Sequence, residues 1–178
     1  MNILTIKFRC IDCNGLPYAR IMLDQKLLHD HAFTTLEESL QILCPTDNQP
    51  HTLTVERHNK QQHNMILDGQ TIIQDQILQI TDLLIDNISV PSYILDNHSR
   101  FCWLDNEHKG SRYFGPNGVW TFDFATPFIS WVLDEKIKHE SHYNNDFQYP
   151  WSNSLGPDSV DRILTTISQV ENKVHEVL

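Results

Sequence analysis

Leu4, Ile6, Phe8 and Cys10 alternate with Thr5, Lys7 and Arg9. An extended chain points successive side chains to opposite faces, so this run is a strand with one face buried and one wet. The same period returns in Ala19, Ile21 and Leu23 set against Arg20 and Asp24, and in Leu40, Ile42 and Cys44, closed by Pro45. A fourth set is Leu53 and Val55 among Thr52, Thr54 and Glu56. Asn14-Gly15-Leu16-Pro17 is turn chemistry, Asp24-Gln25-Lys26 predicts a tight turn, and the polar stretch 59–64 predicts a loop. Thr71-Ile72-Ile73 predicts a short strand, and residues 77–90 a long one. The alternation of that long run slips near Thr81-Asp82, which predicts a bulge. Several short strands between polar turns, without a Gly-rich strand–turn–helix unit, imply a mainly β chain. The expected architecture is an antiparallel, jelly-roll-like β-sandwich over residues 1–95.

The chain changes character beyond Tyr93. Fourteen of its seventeen aromatic residues, with all four Trp, lie from that point onward. Residues 96–155 are expected to form an aromatic-rich, irregular extension and arm. Within it, Gly115-Pro116-Asn117-Gly118 is a turn into residues 119–124, where Trp120, Phe122 and Phe124 share a face. Thr126-Pro127 predicts the start of a short helix, with Thr126 as N-cap and Pro127 as the first helical residue, placing Phe128 and Trp131 on one side. Residues 139–154 have no clear period and suggest a connecting arm. Residues 156–178 predict an amphipathic helix opened by Gly156-Pro157-Asp158. Its seam is Val160, Ile163, Ile167, Val170, Val174 and Val177, at heptad spacing, for packing on the body or on another chain.

The net charge of −10 repels phosphate backbones and argues against a nucleic-acid partner. No apolar run is long enough for a membrane helix, and the N-terminus lacks a secretory pattern. Cys10, Cys13, Cys44 and Cys102 are therefore expected as reduced thiols. Cys10-Ile11-Asp12-Cys13 is a lone CxxC, and Cys10 belongs to the buried face of the first strand, so no zinc or other cofactor is assigned. No phosphate-binding glycine loop and no GxSxG are present. His139-Glu140-Ser141-His142 is one residue short of a zincin motif. Carboxylate pairs occur at Glu37-Glu38, Asp82/Asp86 and Asp134-Glu135, but spacing alone cannot set two of them across a cleft. Asp24, Asp68, Asp82 and Asp86 could supply calcium ligands at sandwich loops, without EF-hand spacing. The reading is non-catalytic. The candidate contact surface is the set of aromatics amid turn formers: Trp103, Tyr113, Phe114, Tyr149 and Trp151.

Three segments carry a resemblance. Asn14-Gly15-Leu16-Pro17 with Ile21-Met22-Leu23-Asp24-Gln25-Lys26, then Pro50-His51-Thr52-Leu53-Thr54-Val55-Glu56-Arg57, then residues 80–89, resemble calcium-dependent, xylan-binding-type carbohydrate-binding modules. The turn usual after the second strand in that family is Asp-Gly, where this chain has Asp24-Gln25. No calcium or sugar ligand is matched residue by residue. Gly115-Pro116-Asn117-Gly118-Val119-Trp120-Thr121-Phe122-Asp123-Phe124, with Pro127-Phe128 and Trp131, resembles a structural protein of tailed bacteriophages. These resemblances imply a sandwich fold and a virion component of tail, baseplate or neck, made in the host cytoplasm. Its expected partners are other virion proteins and copies of itself. The alternative is a glycan-binding module, calcium-dependent or not. A small glycan-cleaving enzyme is a third reading and needs two facing carboxyls.

Overall fold

The computed structural model describes residues 2–146, with side chains through Ser141. The chain divides into two compact units, Met1–Lys136 and Ile137–Leu178. Tyr149, Trp151 and the six-residue helix seam lie outside the described residues.

The opening run forms β1 (Asn2–Ile11) with Leu4, Ile6, Phe8 and Cys10 buried, as its alternation requires. The second, third and fourth alternating sets form β2 (Tyr18–Leu23), β4 (Glu37–Cys44) and β5 (Pro50–His58). Between β2 and β4 runs β3 (Lys26–Ala32), which the sequence did not announce because its residues are exposed or half-buried and show no period. The β2–β3 turn holds Asp24 and Gln25 at φ of 50° and 67°. Two successive left-handed residues match the right-handed twist of a hairpin, so the departure from Asp-Gly leaves the turn type intact.

Beyond a 3-10 turn (Gln62–Asn64), β6 (Met65–Asp68) and β7 (Thr71–Asp75) make a separate two-stranded hairpin. The long run from Ile77 is interrupted. β8 (Ile77–Ile85) turns at Asp86-Asn87, both left-handed, and returns as β9 (Ile88–Ser89). The bulge falls where the alternation slips. Lys7 faces Asp82 while the next residue, Phe8, faces Ile80, leaving Thr81 unpaired. Leu78 and Ile80 point inward before it, Leu83 and Ile85 after it.

The expected irregular extension is corrected by the strand pairing. After α1 (Ser92–His98) come β10 (Ser99–Trp103), β11 (Asn106–Lys109), β12 (Tyr113–Phe114) and β13 (Gly118–Ala125). β13 pairs with β5 along its whole length and lies in the middle of its sheet. Trp120, Phe122 and Phe124 are therefore core, not appendage. α2 (Phe128–Asp146) is longer than the short helix expected, and takes in the first part of the stretch read as an arm. Its first turn begins at Phe128: the Trp131 N–H donates to the Pro127 carbonyl, and Thr126 is buried, its hydroxyl donating to Asp47. Phe128 and Trp131 do share a face, their rings 5.6 Å apart.

Besides the β6–β7 hairpin, the described residues form two larger antiparallel sheets. One orders as β12-β8-β1-β4, with β9 also on β8; the other as β11-β10-β13-β5-β2-β3. Their inner faces meet in one core, built from Leu4, Ile6, Phe8, Leu78, Ile80 and Leu83 on one side. Ile21, Leu53, Val55, Phe101, Trp120 and Phe122 face them from the other. This is the mainly β, antiparallel sandwich that the alternation implied.

Candidate functional site

The inward face of β5 begins and ends with a basic residue: His51, Leu53, Val55 and Arg57 are all buried. Arg57 sits where the sheets come together beyond β5. Its guanidinium donates to the Phe114, Gly115 and Gln76 carbonyls and to the Gln76 side-chain oxygen. Burial lowers its pKa to about 10, against the opposing pull of Asp75. One side chain thus ties β5 to the start of β8 and to the turn after β12.

That turn, Gly115-Pro116-Asn117, forms one wall of a groove of about 780 Å³, lined also by Lys60, Gln61, Met65, Ile72, Asp75, Trp103 and Leu104. Gly118 lets the wall close. A Cβ there would lie 2.5 Å from the Cys102 carbonyl oxygen and 2.7 Å from the Phe101 ring, inside contact distance. Lys60 is ion-paired with Asp75, donates 2.7 Å to the Gly115 carbonyl, and exchanges backbone bonds with the Asn117 amide. The β10–β11 turn also contributes to the lining, through Trp103 and Leu104. Trp103 is 41% exposed there, and Leu104 is 80% exposed at φ +52°. A bulky residue held left-handed in a turn is strained, and such strain gathers at functional sites.

The candidate aromatics divide. Trp103 stands on the groove. Tyr113 is half-exposed at the edge of β8, opposite Gln79, and does not line it. Phe114 is corrected to core: it is fully buried against Phe101, with centroids 4.9 Å apart. The inward parity of a two-residue strand cannot be read from turn-rich flanks, which is why it looked exposed. Ile72, Leu104, Lys60 and Asn117 were missed. Only Leu104, an aliphatic placed directly before Asp105-Asn106, left a trace in the sequence.

The four aspartates considered for calcium are dispersed. Asp24 accepts from Thr52 N–H and His51, Asp82 from Lys7, Ser89 and Leu83 N–H, and Asp86 from Ile3 N–H. Among the described residues no group of three or more His, Cys, Asp or Glu is placed to hold a metal ion. Of the paired carboxylates, Glu37, Glu38 and Glu135 are engaged as well. Glu37 meets Arg9, Glu135 meets His98, and Glu38 accepts from Thr34, Thr35 and His31. Burial alone would raise the Glu38 pKa, but those bonds outweigh it and hold the carboxyl at about 2. The described cysteines are free thiols, with Cys10 and Cys44 pushed up to about 12 by burial.

At the other end of β5, the His51 ring is closed between two carboxylates. Nδ1 is 2.7 Å from Asp24 and Nε2 is 2.9 Å from Asp47. Both nitrogens must carry a proton to donate, so the arrangement selects the imidazolium. Burial lowers its pKa, but the two carboxylates prevail and raise it. This cluster joins the β2–β3 turn, the β4–β5 loop and the approach to α2.

No family model matches the chain, and no curated protein matches it. Two solved structures are similar at low identity. One is a selenomethionine form of vCBM60, described with circular permutation between two families of calcium-dependent carbohydrate-binding modules. It is 16% identical with a TM-score of 0.45, covering 68% of this chain and 90% of that one. The other is vCBM60 in complex with galactobiose, 14% identical with a TM-score of 0.44, covering 67% and 96%.

Proposed function

We propose that this chain is a non-catalytic carbohydrate-binding module whose ligand lies in the groove between Trp103 and the Gly115-Pro116-Asn117 turn. The observation that carries it is a half-exposed indole lining a groove of about 780 Å³ together with the polar groups of Lys60, Gln61, Asp75 and Asn117. A pyranose presents apolar C–H groups on its faces and hydroxyls around its rim. An indole receives the first, and the Asn117 and Gln61 amides with the Lys60–Asp75 pair receive the second. One of the two solved neighbours holds galactobiose, a ligand of the proposed class.

The test is a glycan array probed with the full chain, followed by calorimetry on any hit. Trp103→Ala is expected to weaken binding at least about ten-fold, a loss of roughly 1.4 kcal/mol, with the circular dichroism spectrum unchanged. Binding of no glycan, or binding indifferent to Trp103, overturns the proposal. A chelator is expected to leave binding intact, because the single carboxylate lining the groove, Asp75, is tied to Lys60. Loss of binding on chelation would move the site to other loops.

A second reading, docking on another protein, is favoured by the β6–β7 hairpin, which exposes Ile66, Leu67, Ile72 and Ile73. A virion setting would be one case of it, and rests on the sequence resemblance alone. Loss of a pulled-down virion protein on Ile73→Ser, with glycan binding absent, would select that reading.

A further inference from the structure

A sheet edge offers a row of unpaired backbone groups to any passing strand, and folded proteins guard such edges by shortness, charge or bulging. Three of the edges described here are guarded. β9 and β12, beside β8, are two residues each. β11 reads Asn106-Glu107-His108-Lys109, with two charges in four residues. β3 carries Lys26, His29, Asp30 and His31, and its pairing with β2 is broken by a register shift between Ile21 and Met22.

β4 is guarded neither by shortness nor by a bulge, and its charges, Glu37 and Glu38, are confined to one end. It is eight residues long, pairs with β1 in unbroken register, and among the described residues no strand lies beyond it. Its centre, Ser39-Leu40-Gln41-Ile42-Leu43, contains no charge, Pro or Gly, the composition that adds strands readily. Its two acidic residues are already answered from within the chain. Glu37 lies 3.0 Å from Arg9, and Glu38 2.7 Å from His31. The exposed Leu43 stands opposite exposed Ile3 on β1, so the outer face near the strand's end is apolar too.

We infer that β4 is a self-pairing edge, at which a second copy of this chain adds antiparallel and continues the sheet across a two-fold axis. The parity of the register follows from the sequence. Inward residues must meet inward residues, so the axis passes through one residue rather than between two. Placing it at Gln41 sets Leu40 against the partner copy's Ile42 on the core side, and Ser39 against its Leu43 on the wet side. No Glu then faces a Glu. That self-complementarity in pattern and charge selects a copy of this chain over an unrelated strand. The whole-chain charge of −10 opposes the approach of two copies, so the association strengthens with salt. An interface held by ion pairs would weaken instead.

The experiment uses the full chain. Sedimentation equilibrium from about 1 µM to about 1 mM, at low and at physiological ionic strength, is expected to show a dimer that tightens as salt is added. Gln41→Lys, at an exposed position, places two like charges on the axis and is expected to weaken the dimer at least ten-fold without altering the circular dichroism spectrum. Directly opposed residues of antiparallel strands have Cα atoms about 4.5–5.5 Å apart, within disulfide reach. Gln41→Cys in a Cys102→Ser background should therefore form a disulfide dimer on mild oxidation, faster than Asn106→Cys on β11. This variant preserves the test should Gln41→Lys fail to fold. A monomer at every concentration overturns the inference. So does a dimer indifferent to Gln41→Lys, cross-linking no faster at position 41 than at 106, or a monomer whose β4 amides are protected only by an extended peptide of another protein.

Discussion

At one end of β5 the His51 imidazole lies between the Asp24 and Asp47 carboxylates; at the other, the Arg57 guanidinium ends all its hydrogen bonds on neutral oxygens. Both side chains are almost wholly buried, and both close the same face of the same strand. What differs is how each charge is held. Carbonyl oxygens cannot be titrated, and Arg57 stays protonated below about pH 10. The Arg57 hydrogen bonds to the Phe114, Gly115 and Gln76 oxygens therefore persist below about pH 10. The His51 clamp depends on a proton that ordinary changes of pH remove. The groove thus lies at the Arg57 end, and the loop fastening that titrates lies at the His51 end.

The largest effect that can break this comparison is Arg57→Met. The new side chain fills part of the volume but removes the Arg57 donors from the buried Phe114 and Gln76 acceptors, while Gly115 keeps the Lys60 donor; each buried acceptor left unpaired costs about 1–3 kcal/mol. We expect the urea midpoint to fall by the equivalent of about 3 kcal/mol, and ligand binding to weaken together with it. A loss below about 1 kcal/mol would mean that β12 and its turn are held without the Arg57 hydrogen bonds, by the β8 pairing and the Lys60 contacts.

Next in size is Gly118→Ala. The added carbon meets the Cys102 carbonyl and the Phe101 ring at distances real side chains do not adopt, so β10 and β13 must part slightly. Overpacking of this kind costs about 1–3 kcal/mol. Its place beside the Arg57 end predicts a loss that is the same at pH 5 and pH 8, measured by denaturation at each.

How far these features were legible in the sequence follows from their period. The alternation of β1, β2, β4 and β5 fixed which side chains go inward, and the slip at Thr81 located the bulge, because burial on one face leaves no other register. The same parity carried one step further from Leu53 and Val55 points His51 and Arg57 inward. It could not say that one would meet carboxylates and the other carbonyls, since Asp24, Gln76 and Phe114 come from turns and strands distant along the chain, and Asp47, though only four residues from His51, reaches it from an irregular loop. The middle of the chain was misread for a related reason. β10 to β12 are short and carry Asn, His and Gly between them, so their strand character comes from pairing with β13 and β8 rather than from a pattern of their own. The groove suffers most from this. Trp103 could be named as a candidate, but Ile72, Lys60 and Asn117 reach it from separate segments.

The smallest expected effect is also the sharpest test of the comparison, because it turns on sign rather than size. The folded state raises the His51 pKa above its ordinary 6.5, so the native chain holds that proton more tightly than the unfolded one. The resulting stability is complete below pH 6.5 and is lost as pH rises through the folded value. Asp47 runs the other way. Burial would raise its pKa, but the bonds from His51, Thr126 and Gln49 lower it below 3.8. Its contribution is present above that value and is lost as pH falls through the folded one. The clamp is therefore tightest between the carboxylate range and the raised histidine value. His51→Gln keeps a donor towards one carboxylate but no charge, and should cost about 1–2 kcal/mol near pH 5.5. The cost should shrink steadily as pH is raised past the folded pKa of the wild-type imidazole, followed independently by its ring-proton NMR shift. The Arg57→Met cost, measured in parallel, should stay level over the same range. A His51→Gln cost that is equally level would show that the ring is held neutral, with one of the two carboxylates protonated in its place, and the contrast between the ends of β5 would then be one of geometry rather than of charge.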